Sequence, residues 1–306
     1  MLVSCIGNFD GVHIGHRKIM SETVKLAKKA GFVSKALTIN YPWGYYFENF
    51  PGLIYPISRR LKLIQSTGIK DVQILDLNEI KDLSPDEFFK LLLESGVKGI
   101  VVGDDFTFGR KAAGDIETIK MLSKSHSVNL KVIQGVKYDG KRVSSSWIRE
   151  AISRGDIELS NTLLGENFTI DGRVYSDKKL GNVLRFPTAN IERGSCDLVK
   201  PKPGVYIVSS CIDGVEYFGL MNAGFRPTVN YSERIKFEVY FIDFSGSLYD
   251  RDLSIKFHRF LRPELKFDSI DKLVKEIQRD ERIAQRWIKN NKEIIKDELR
   301  KSQLSP

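Results

Sequence analysis

Cysteine is scarce in this 306-residue sequence, and it contains no long apolar runs. The three cysteines, Cys5, Cys196 and Cys211, are odd in number and lack C-x-x-C spacing, so they predict neither a disulfide framework nor a zinc site. The apolar start, MLVSCIG, is interrupted by Asp10 and is too short for a signal-peptide core or a membrane-spanning helix. We therefore expect a cytoplasmic protein with reduced cysteines and no membrane partner.

Internal repeats and low-complexity linkers are also missing, and the length exceeds that of one average domain, which predicts two compact domains. The 48 basic residues against 39 acidic ones give a formal charge of +9, which favours anionic partners such as nucleotides, flavin phosphates or nucleic acid. The basic clusters KLAKKAG, SDKKLG and ELRKS are short and mixed with acids, as on solvated faces. This pattern predicts no nucleic-acid partner.

Strand and helix signals alternate through the first half of the chain. The runs LVSCIG, SKALTIN, VQIL, KGIVVG and NLKVIQG are typical of buried strands, and segments with helical spacing separate them. Helix ends are marked as well: Gly31 ends the first helix, Ser84 and Glu87 form a capping box, and Gly96 ends that helix. Such alternation predicts a doubly wound parallel α/β sheet, with ligands at the carboxyl ends of its strands.

The pattern changes after about Gly155, where strand-like runs separated by turns replace the alternation. The pair Asp213-Gly214 predicts a tight hairpin, and the whole region predicts an all-β unit, plausibly a barrel. From Ser269 to about Asp297 the apolar spacing indicates one long or two short amphipathic helices. We therefore expect a first domain over residues 1–157 and a β-barrel domain with a terminal α-helix over residues 158–306.

The stretch GNFDGVHIGH, Gly7 to His16, contains two of the four histidines. It follows the first strand and leads into the first helix, where helix N-terminal amides bind anionic phosphate. Glycines let the backbone approach a ligand closely, and His13 and His16 can donate hydrogen bonds to phosphoryl oxygens during transfer. On the motif alone, the alternative is a pair of structural histidines near a turn.

This stretch resembles the signature of the nucleotidyltransferase superfamily, in the form found in bacterial bifunctional riboflavin kinase/FMN adenylyltransferases. Three further stretches resemble that family: TINYP (Thr38–Pro42), GDDFTFGRKAAG (Gly103–Gly114) and RVSSSWIRE (Arg142–Glu150). In the last of these, Ser146 stands where the family usually has Thr. All four follow predicted strands or lead into predicted helices, so they would meet at one edge of the sheet.

The resemblance implies roles for individual residues of the first domain. It implies that His13, His16 and Arg149 are catalytic, with Arg149 clamping the β and γ phosphates of ATP. For the aromatic residues, the alternative is that each packs in the core. The implied nucleotide-binding residues are Gly7, Phe9, Gly15, His16, Gly103, Ser145 and Arg149, and the implied flavin-binding residues are Tyr41, Pro42, Asp105, Phe106 and Phe108.

In the second half, RFPTANI (Arg185–Ile191) resembles the P-T-A-N motif of riboflavin kinases, although the bare sequence predicts only a turn. The resemblance implies that Thr188 and Asn190 hold Mg²⁺ and ATP phosphate, as suits their hard oxygen atoms. The stretches GVY, MNAGFRPT, FEVYFIDF and FLRPELKFDS follow in family order. They imply that Glu238 is the general base acting on the ribityl 5′-hydroxyl, and that Arg262 contacts flavin or phosphate.

Three places depart from the family pattern. Arg185 and Asp250 stand where glycine is usual, and a His-Gly pair is replaced around Tyr175 to Asp177. Glycine at such places allows a close backbone approach or a positive φ. These changes could reduce affinity or rate at the kinase site.

The resemblance covers about residues 3 to 290 and implies a bifunctional enzyme with ATP, riboflavin, FMN and FAD as substrates or products and Mg²⁺ as cofactor. Riboflavin would be phosphorylated to FMN, and FMN adenylylated to FAD with release of pyrophosphate. Three alternatives stay open: an adenylyltransferase with a weak or inactive kinase, a nucleotidyltransferase acting on a non-flavin acceptor such as a pantetheine or glycerol phosphate, and a basic nucleic-acid-binding protein.

Overall fold

A computed structural model describes residues 1–175, 188–194, 197–225 and 235–291 of the chain. Packing divides the chain into two compact units, Met1–Trp147 and Ile148–Pro306. No helix among the described residues is both long and apolar enough to span a bilayer.

The first unit contains a five-stranded sheet in the order β3-β2-β1-β4-β5. Every neighbouring pair is parallel, so the doubly wound sheet predicted from the sequence is confirmed. Parallel strands bring their carboxyl ends to one edge, where β1, β2 and β4 end together. The strands are β1 (Leu2–Gly7), β2 (Val33–Ile39), β3 (Asp71–Leu75), β4 (Val97–Gly103) and β5 (Asn129–Ile133).

Helices cover both faces of this sheet, as its buried strands require. The helices are α1 (Ile14–Ala30), α2 (Ile57–Ser66), α3 (Leu77–Ile80), α4 (Pro85–Glu94) and α5 (Ile116–Ser125). One core cluster joins α1 and α2 to strand residues such as Val3 and Cys5, and another joins α4 and α5 to strand residues such as Ile6. A short hairpin of β6 (Lys137–Tyr138) and β7 (Lys141–Arg142) then leads into α6 (Ser145–Arg154).

The predicted helix ends are present. The Ser84 hydroxyl accepts a hydrogen bond from the Glu87 amide at 3.3 Å, and the Glu87 carboxylate accepts one from the Ser84 amide at 2.7 Å. Gly31 follows α1 in the left-handed conformation, with φ of 68°, which glycine adopts without a steric penalty. Local sequence signals therefore fix where these helices begin and end.

The second unit is a closed antiparallel barrel in the order β10-β11-β12-β9-β8-β13, so the predicted barrel is confirmed. Asp213 and Gly214, both at positive φ, form the predicted hairpin turn between β10 and β11. The elements of this unit are α7 (Ile157–Leu164), β8 (Thr169–Tyr175), β9 (Ala189–Glu192), β10 (Gly204–Ile212), β11 (Val215–Phe225), β12 (Ile235–Phe241), β13 (Asp252–Arg262) and α8 (Ile270–Asn290).

Three details of this unit differ from or refine the sequence prediction. Helix α7 was not predicted, although Asp156 caps its start and Gly165 its end. Asn190 lies in strand β9 rather than in a turn, because it pairs with Glu238 of the adjacent β12 and with Tyr175 of the adjacent β8. The terminal helical region is a single helix over its described part, with Ser269 as its N-cap.

Candidate active sites

The loop between β1 and α1 has an unusual backbone. Phe9, Gly11 and Val12 have φ values of 47°, 80° and 44°. A positive φ is a genuine outlier for a β-branched residue such as valine, and such strain concentrates at functional sites where the surroundings hold it. The stretch Gly7–His16 is therefore a strained loop at the carboxyl edge of the sheet.

Asp10 of this loop fastens it to the rest of the unit. Its carboxylate, 2% exposed, accepts hydrogen bonds from the amides of Ile54 at 3.1 Å and Tyr55 at 3.4 Å. The backbone carbonyl of Asp10 accepts a hydrogen bond from the hydroxyl of Ser145 at 2.9 Å. The predicted nucleotide-binding Ser145 thus ties the loop to the first turn of α6.

His13 and His16 lie together at the start of α1, with stacked rings whose centroids are 3.6 Å apart. His13 is the N-cap of α1, and its Nδ1 accepts a hydrogen bond from the His16 amide at 3.3 Å. Burial lowers the pKa of His13 to about 4. Burial, followed by the charges of His13 and Arg60, lowers the pKa of His16 well below its usual value. Both rings are neutral at pH 7, and the proton of His13 lies on Nε2.

The glycines of the loop make room for its own rings. A Cβ at Gly7 would lie 2.9 Å from Phe9 Cε1, and one at Gly15 would lie 3.0 Å from His13 Cε1. The expectation that these glycines let the backbone approach a ligand stays a prediction, and the packing adds a second reason for glycine at both positions. A side chain at Gly7 would crowd Phe9, and one at Gly15 would crowd His13.

The loop after β4 carries three of the predicted flavin-binding residues. Phe108 is 6% exposed and packs with Phe88 in the core, which is the alternative weighed for any single phenylalanine. Phe106 is half-buried and stacks on Phe108 with centroids 5.5 Å apart. Asp105 is exposed, and a Cβ at Gly103 would lie 2.9 Å from its Oδ1.

An arginine to which no site role was assigned from the sequence, Arg142 on β7, holds this loop. Its Nη2 lies 2.7 Å from Asp104 Oδ1 and 2.8 Å from Asp105 Oδ1. The hydrogen bond from Arg142 lowers the pKa of Asp104. Asp104 Oδ1 also accepts a hydrogen bond from the Gly135 amide at 3.2 Å. The loops that follow β4 and β5 are thereby joined through one carboxylate.

Two of the other sequence-predicted residues, Tyr41 and Pro42, follow β2 at the same edge, whereas Arg149 lies beyond Trp147, the last residue of the first unit. Tyr41 follows β2, and its ring packs on Tyr45 with centroids 4.3 Å apart. Pro42 is buried and begins a short 3-10 turn. Arg149 lies in α6, one turn after Ser145, and is 8% exposed.

In the barrel, Glu238 is flanked by two asparagines on neighbouring strands. Asn190 of β9 and Asn222 of β11 are its cross-strand partners, so the three side chains share one face. Phe237 and Val239, its neighbours in β12, are buried on the opposite face. No role for Asn222 is predicted from the sequence, because its place beside Glu238 depends on the pairing of β11 with β12.

Charged and amide groups complete this face of the barrel. The ammonium of Lys236 contacts the carboxylate of Glu238, and Asn222 Nδ2 donates a hydrogen bond to Glu264 Oε1 at 3.0 Å. Asn190 is 7% exposed, and its Oδ1 is buried without a hydrogen-bond partner among the described residues. Thr188, half-buried, precedes β9 by one residue.

Arg262 lies at the end of β13, and its guanidinium faces α8. Its Nη2 lies 2.8 Å from Asp280 Oδ2, and its Nε lies 3.7 Å from Glu276 Oε1. Arg262, which is predicted to contact flavin or phosphate, therefore already forms an ion pair with Asp280. Asp250 takes a positive φ of 62°, as a glycine position would. Arg185 and the region from 176 to 187 lie outside the described residues, as do residues 226–234.

Comparisons with known proteins match both units of the chain. A family described as FAD synthetase matches residues 1–147, and one described as riboflavin kinase matches residues 164–288. A bifunctional riboflavin kinase/FMN adenylyltransferase of Pseudomonas fluorescens is 36% identical over 91% of this chain and 90% of its own. That of Bacillus subtilis (strain 168) is 30% identical over 94% and 93%.

A solved structure has a similar fold over both units of the chain. A crystal structure described as a macrolide-efflux protein from Streptococcus pneumoniae matches with a TM-score of 0.85 and 27% identity, covering 93% of this chain and 94% of its own. With the relatives above, it shows that the two units occur together in other chains. This chain belongs to the family of bifunctional riboflavin kinases/FMN adenylyltransferases.

Proposed function

We propose that this chain makes FAD from riboflavin in two ATP-dependent steps. The barrel unit transfers the γ-phosphoryl group of ATP to riboflavin and yields FMN. The first unit transfers the AMP moiety of a second ATP to FMN and yields FAD and pyrophosphate. The observation that carries the proposal is the stacked pair of His13, which is buried, and His16, which is half-buried, at the start of α1 in a chain of this family.

In the adenylyl transfer, a phosphate oxygen of FMN attacks the α-phosphorus of ATP. The bond from that phosphorus to the bridging oxygen breaks, and pyrophosphate leaves with its electron pair. The FMN phosphate is ionised at neutral pH, so no protein base is needed. The Nε2–H of His13 and an N–H of His16 would donate hydrogen bonds to the phosphoryl oxygens on which charge accumulates, and Arg149 would clamp the β and γ phosphates.

The remaining roles follow from the shared edge of the sheet. Tyr41 and Pro42 follow β2, and Asp105 and Phe106 follow β4, so all four are proposed to bind the flavin. Phe108 contributes by supporting Phe106 from the core. The backbone around the proposed nucleotide-binding residues Gly7, Phe9, Gly15, Gly103 and Ser145 belongs to the same edge.

In the kinase reaction, Glu238 would take the proton of the ribityl 5′-hydroxyl as that oxygen attacks the γ-phosphorus. Thr188 and Asn190 would hold Mg²⁺. The buried, unpartnered Oδ1 of Asn190 fits this role, because Mg²⁺ prefers hard oxygen ligands. An ion held there supplies charge neutralisation at the phosphates of ATP. Lys236 keeps the Glu238 carboxylate in place through their contact.

The test is to incubate the purified protein with ATP and Mg²⁺, together with either riboflavin or FMN, and to separate the flavins by chromatography. FMN followed by FAD from riboflavin is the expected result. FAD formed only from FMN would indicate a barrel without kinase activity. No flavin product in either incubation would contradict the proposal and direct attention to other phosphate acceptors.

We propose further that the adenylyltransferase domain ends near residue 157 and that the protein acts in the cytoplasm. Helix α6 runs to Arg154 and carries the proposed Arg149, which supports keeping it with the first domain. Cys5 and Cys211 are free thiols, as a reducing compartment would leave them. Expression of residues 1–157 alone, followed by the FMN incubation, tests the boundary.

A further inference from the structure

Arg60 of α2 is a fully buried arginine in the first unit, with 0% of its surface exposed. Burial lowers the pKa of its guanidinium, and the charge of Asp10 opposes that effect. Arginine stays protonated at any pH that proteins tolerate. A buried cation is expensive unless its hydrogen bonds are satisfied, so the groups that Arg60 contacts indicate what it is for.

The guanidinium of Arg60 contacts the backbone of two different loops. Its Nη1 donates hydrogen bonds to the carbonyl of Asn8 at 2.9 Å and to that of Ile39 at 3.1 Å, and its Nη2 donates to the carbonyl of Asn40. Asn8 begins the strained loop that contains the histidines. Ile39 is the last residue of β2, and Asn40 leads directly into Tyr41. One guanidinium group therefore bonds both to the loop that contains His13 and His16 and to the start of the loop that contains Tyr41 and Pro42.

A side chain of β2 also holds the backbone carbonyl of Asn8. The hydroxyl of Thr38 donates a second hydrogen bond to the same carbonyl, at 3.1 Å. Asn8 is followed immediately by Phe9, the first residue of the loop with a positive φ. Strained backbone of this kind persists only where the surroundings over-determine it. Arg60 and Thr38 supply that constraint on one side, and the carboxylate of Asp10 supplies it on the other.

We infer that Arg60 is a positioning residue for adenylyl transfer: its fork fixes the spacing between the loop that carries His13 and His16 and the loop that carries Tyr41. This inference rests on the proposed function of the site. Lysine is a poor replacement, because its ammonium group sits at the end of a flexible stem and lacks the planar fork whose two nitrogens bond the three carbonyls of Asn8, Ile39 and Asn40 at once. The two substrates would still bind to their own loops, but their reacting atoms would be misaligned.

The experiment compares Arg60→Lys, which keeps the charge, with Arg60→Met, which keeps most of the apolar stem. Arg59→Lys is the matched control, because Arg59 lies next to it in α2 and its guanidinium packs over the Tyr55 ring. For each variant, kcat and KM for ATP and FMN are measured in adenylyl transfer. Riboflavin phosphorylation by the same chains serves as the internal reference for intact protein.

We expect Arg60→Lys to lower kcat for adenylyl transfer about 10- to 100-fold, since a displacement of about 1 Å costs that much in a positioned site. The KM values should stay within about three-fold, and phosphorylation and the Arg59→Lys control should stay within about two-fold. An Arg60→Lys variant that keeps more than half of the wild-type kcat would overturn the inference, because charge alone would then suffice.

Amide hydrogen exchange, measured by mass spectrometry, distinguishes a positioning role of Arg60 from a purely structural one. The measurement uses Arg60→Lys, so it does not depend on whether Arg60→Met folds. In Arg60→Lys, faster amide exchange confined to residues 8–12 and 39–42 supports positioning. Faster exchange across all five strands, or a loss of kcat equal to the unfolded fraction, refutes it. If the wild-type protein transfers no AMP to FMN, the proposed function fails, while the exchange pattern still tests the role of Arg60.

Discussion

His13 and His16 stack with an interplanar angle of 18° at the first turn of α1, and the backbone amide of one donates to the ring of the other. Two imidazoles in this arrangement cannot both be charged without repulsion in a buried site. Burial keeps both neutral at pH 7, so each presents an N–H donor rather than a full positive charge. This arrangement suits the stabilisation of charge that appears only during phosphoryl transfer.

The neutral state of His13 predicts a pH-dependent stability. The pKa of His13 is about 4 in the folded protein against a reference value of 6.5, so the unfolded chain binds more protons between these pH values. The free energy of unfolding should therefore fall as pH decreases from 6.5 to 4, by up to about 3 kcal/mol from this group. Above pH 6.5 this group contributes no pH dependence.

The measurement is urea unfolding of the first unit between pH 4 and 8, in the wild type and in His13→Asn. Asparagine can still accept the hydrogen bond from the His16 amide, but it does not titrate. The difference between the two curves reports on His13 and on its effect on the pKa of His16. It removes the contribution of more distant groups such as His258, whose pKa burial lowers to about 3 in the second unit. Parallel curves over the whole range would contradict the prediction.

Glu238→Gln should separate the two activities. Removing the proposed base should lower the rate of riboflavin phosphorylation about 10²- to 10⁴-fold, while the rate of adenylyl transfer to FMN stays unchanged. Glu192→Gln, at an exposed position in β9, is the matched control and should retain phosphorylation. Initial rates of FMN and FAD formation measure both effects. Near-normal phosphorylation by Glu238→Gln would exclude Glu238 as the base.

Much of the fold was predictable because its signals are local. Alternating strands and helices, the capping box at Ser84 and the turn at Asp213 each depend on a few consecutive residues. Helix α7 could also have been found, since Asp156 and Gly165 mark its ends, but its eight residues stand among strand-like runs. The motif Gly7–His16 was recognisable because all its groups lie within ten residues.

The contacts that complete the sites were not predictable, because they join residues far apart in the chain. Arg60 contacts Asn8 and Ile39, and no spacing within α2 indicates a buried cation. The pairing of Arg142 with Asp104 depends on the hairpin of β6 and β7. The sequence around Asn190 predicts only a turn, because the place of Asn190 in β9 depends on pairing with strands more than ten residues away.

Arg262 gives a prediction that separates a structural role from flavin binding. Burial raises the pKa of Asp280, and the hydrogen bond from Arg262 opposes that effect. Removing the arginine leaves a buried carboxylate unpaired, so Arg262→Met should lower the free energy of unfolding by about 3–5 kcal/mol. The double variant Arg262→Met/Asp280→Leu should recover much of that loss, because no charge is left behind.

Guanidinium chloride unfolding and the KM for riboflavin, measured on the same variants, test this pair. If Arg262 served mainly to bind flavin, Arg262→Lys would raise the KM for riboflavin with little change in unfolding. If Arg262 serves mainly to hold α8 through its ion pair, the substitution should instead lower the free energy of unfolding and leave the KM for riboflavin unchanged. The helix packs on the outside of the barrel through a cluster that includes Ala284 and Trp287.

Asp250 tests whether a departure from the family pattern impairs the barrel. It adopts φ of 62° in a tight turn where the Arg251 amide donates to the Leu248 carbonyl at 3.2 Å and its own amide donates to the Val174 carbonyl at 3.0 Å. Aspartate visits the left-handed region at small cost, since its short polar side chain can bond locally. Its ion pair with Arg173, at 3.8 Å, is exposed and contributes little.

We therefore expect Asp250→Gly to change the free energy of unfolding by less than about 0.5 kcal/mol, because relief of the left-handed conformation is offset by the greater freedom of the unfolded chain. Asp250→Val should lower it by about 1–2 kcal/mol, since a β-branched side chain clashes at this φ. Riboflavin phosphorylation by the glycine variant should stay within about two-fold of the wild type. A ten-fold rise instead would mean that the aspartate limits the kinase site, and that the family glycine is required there for catalysis rather than for the turn.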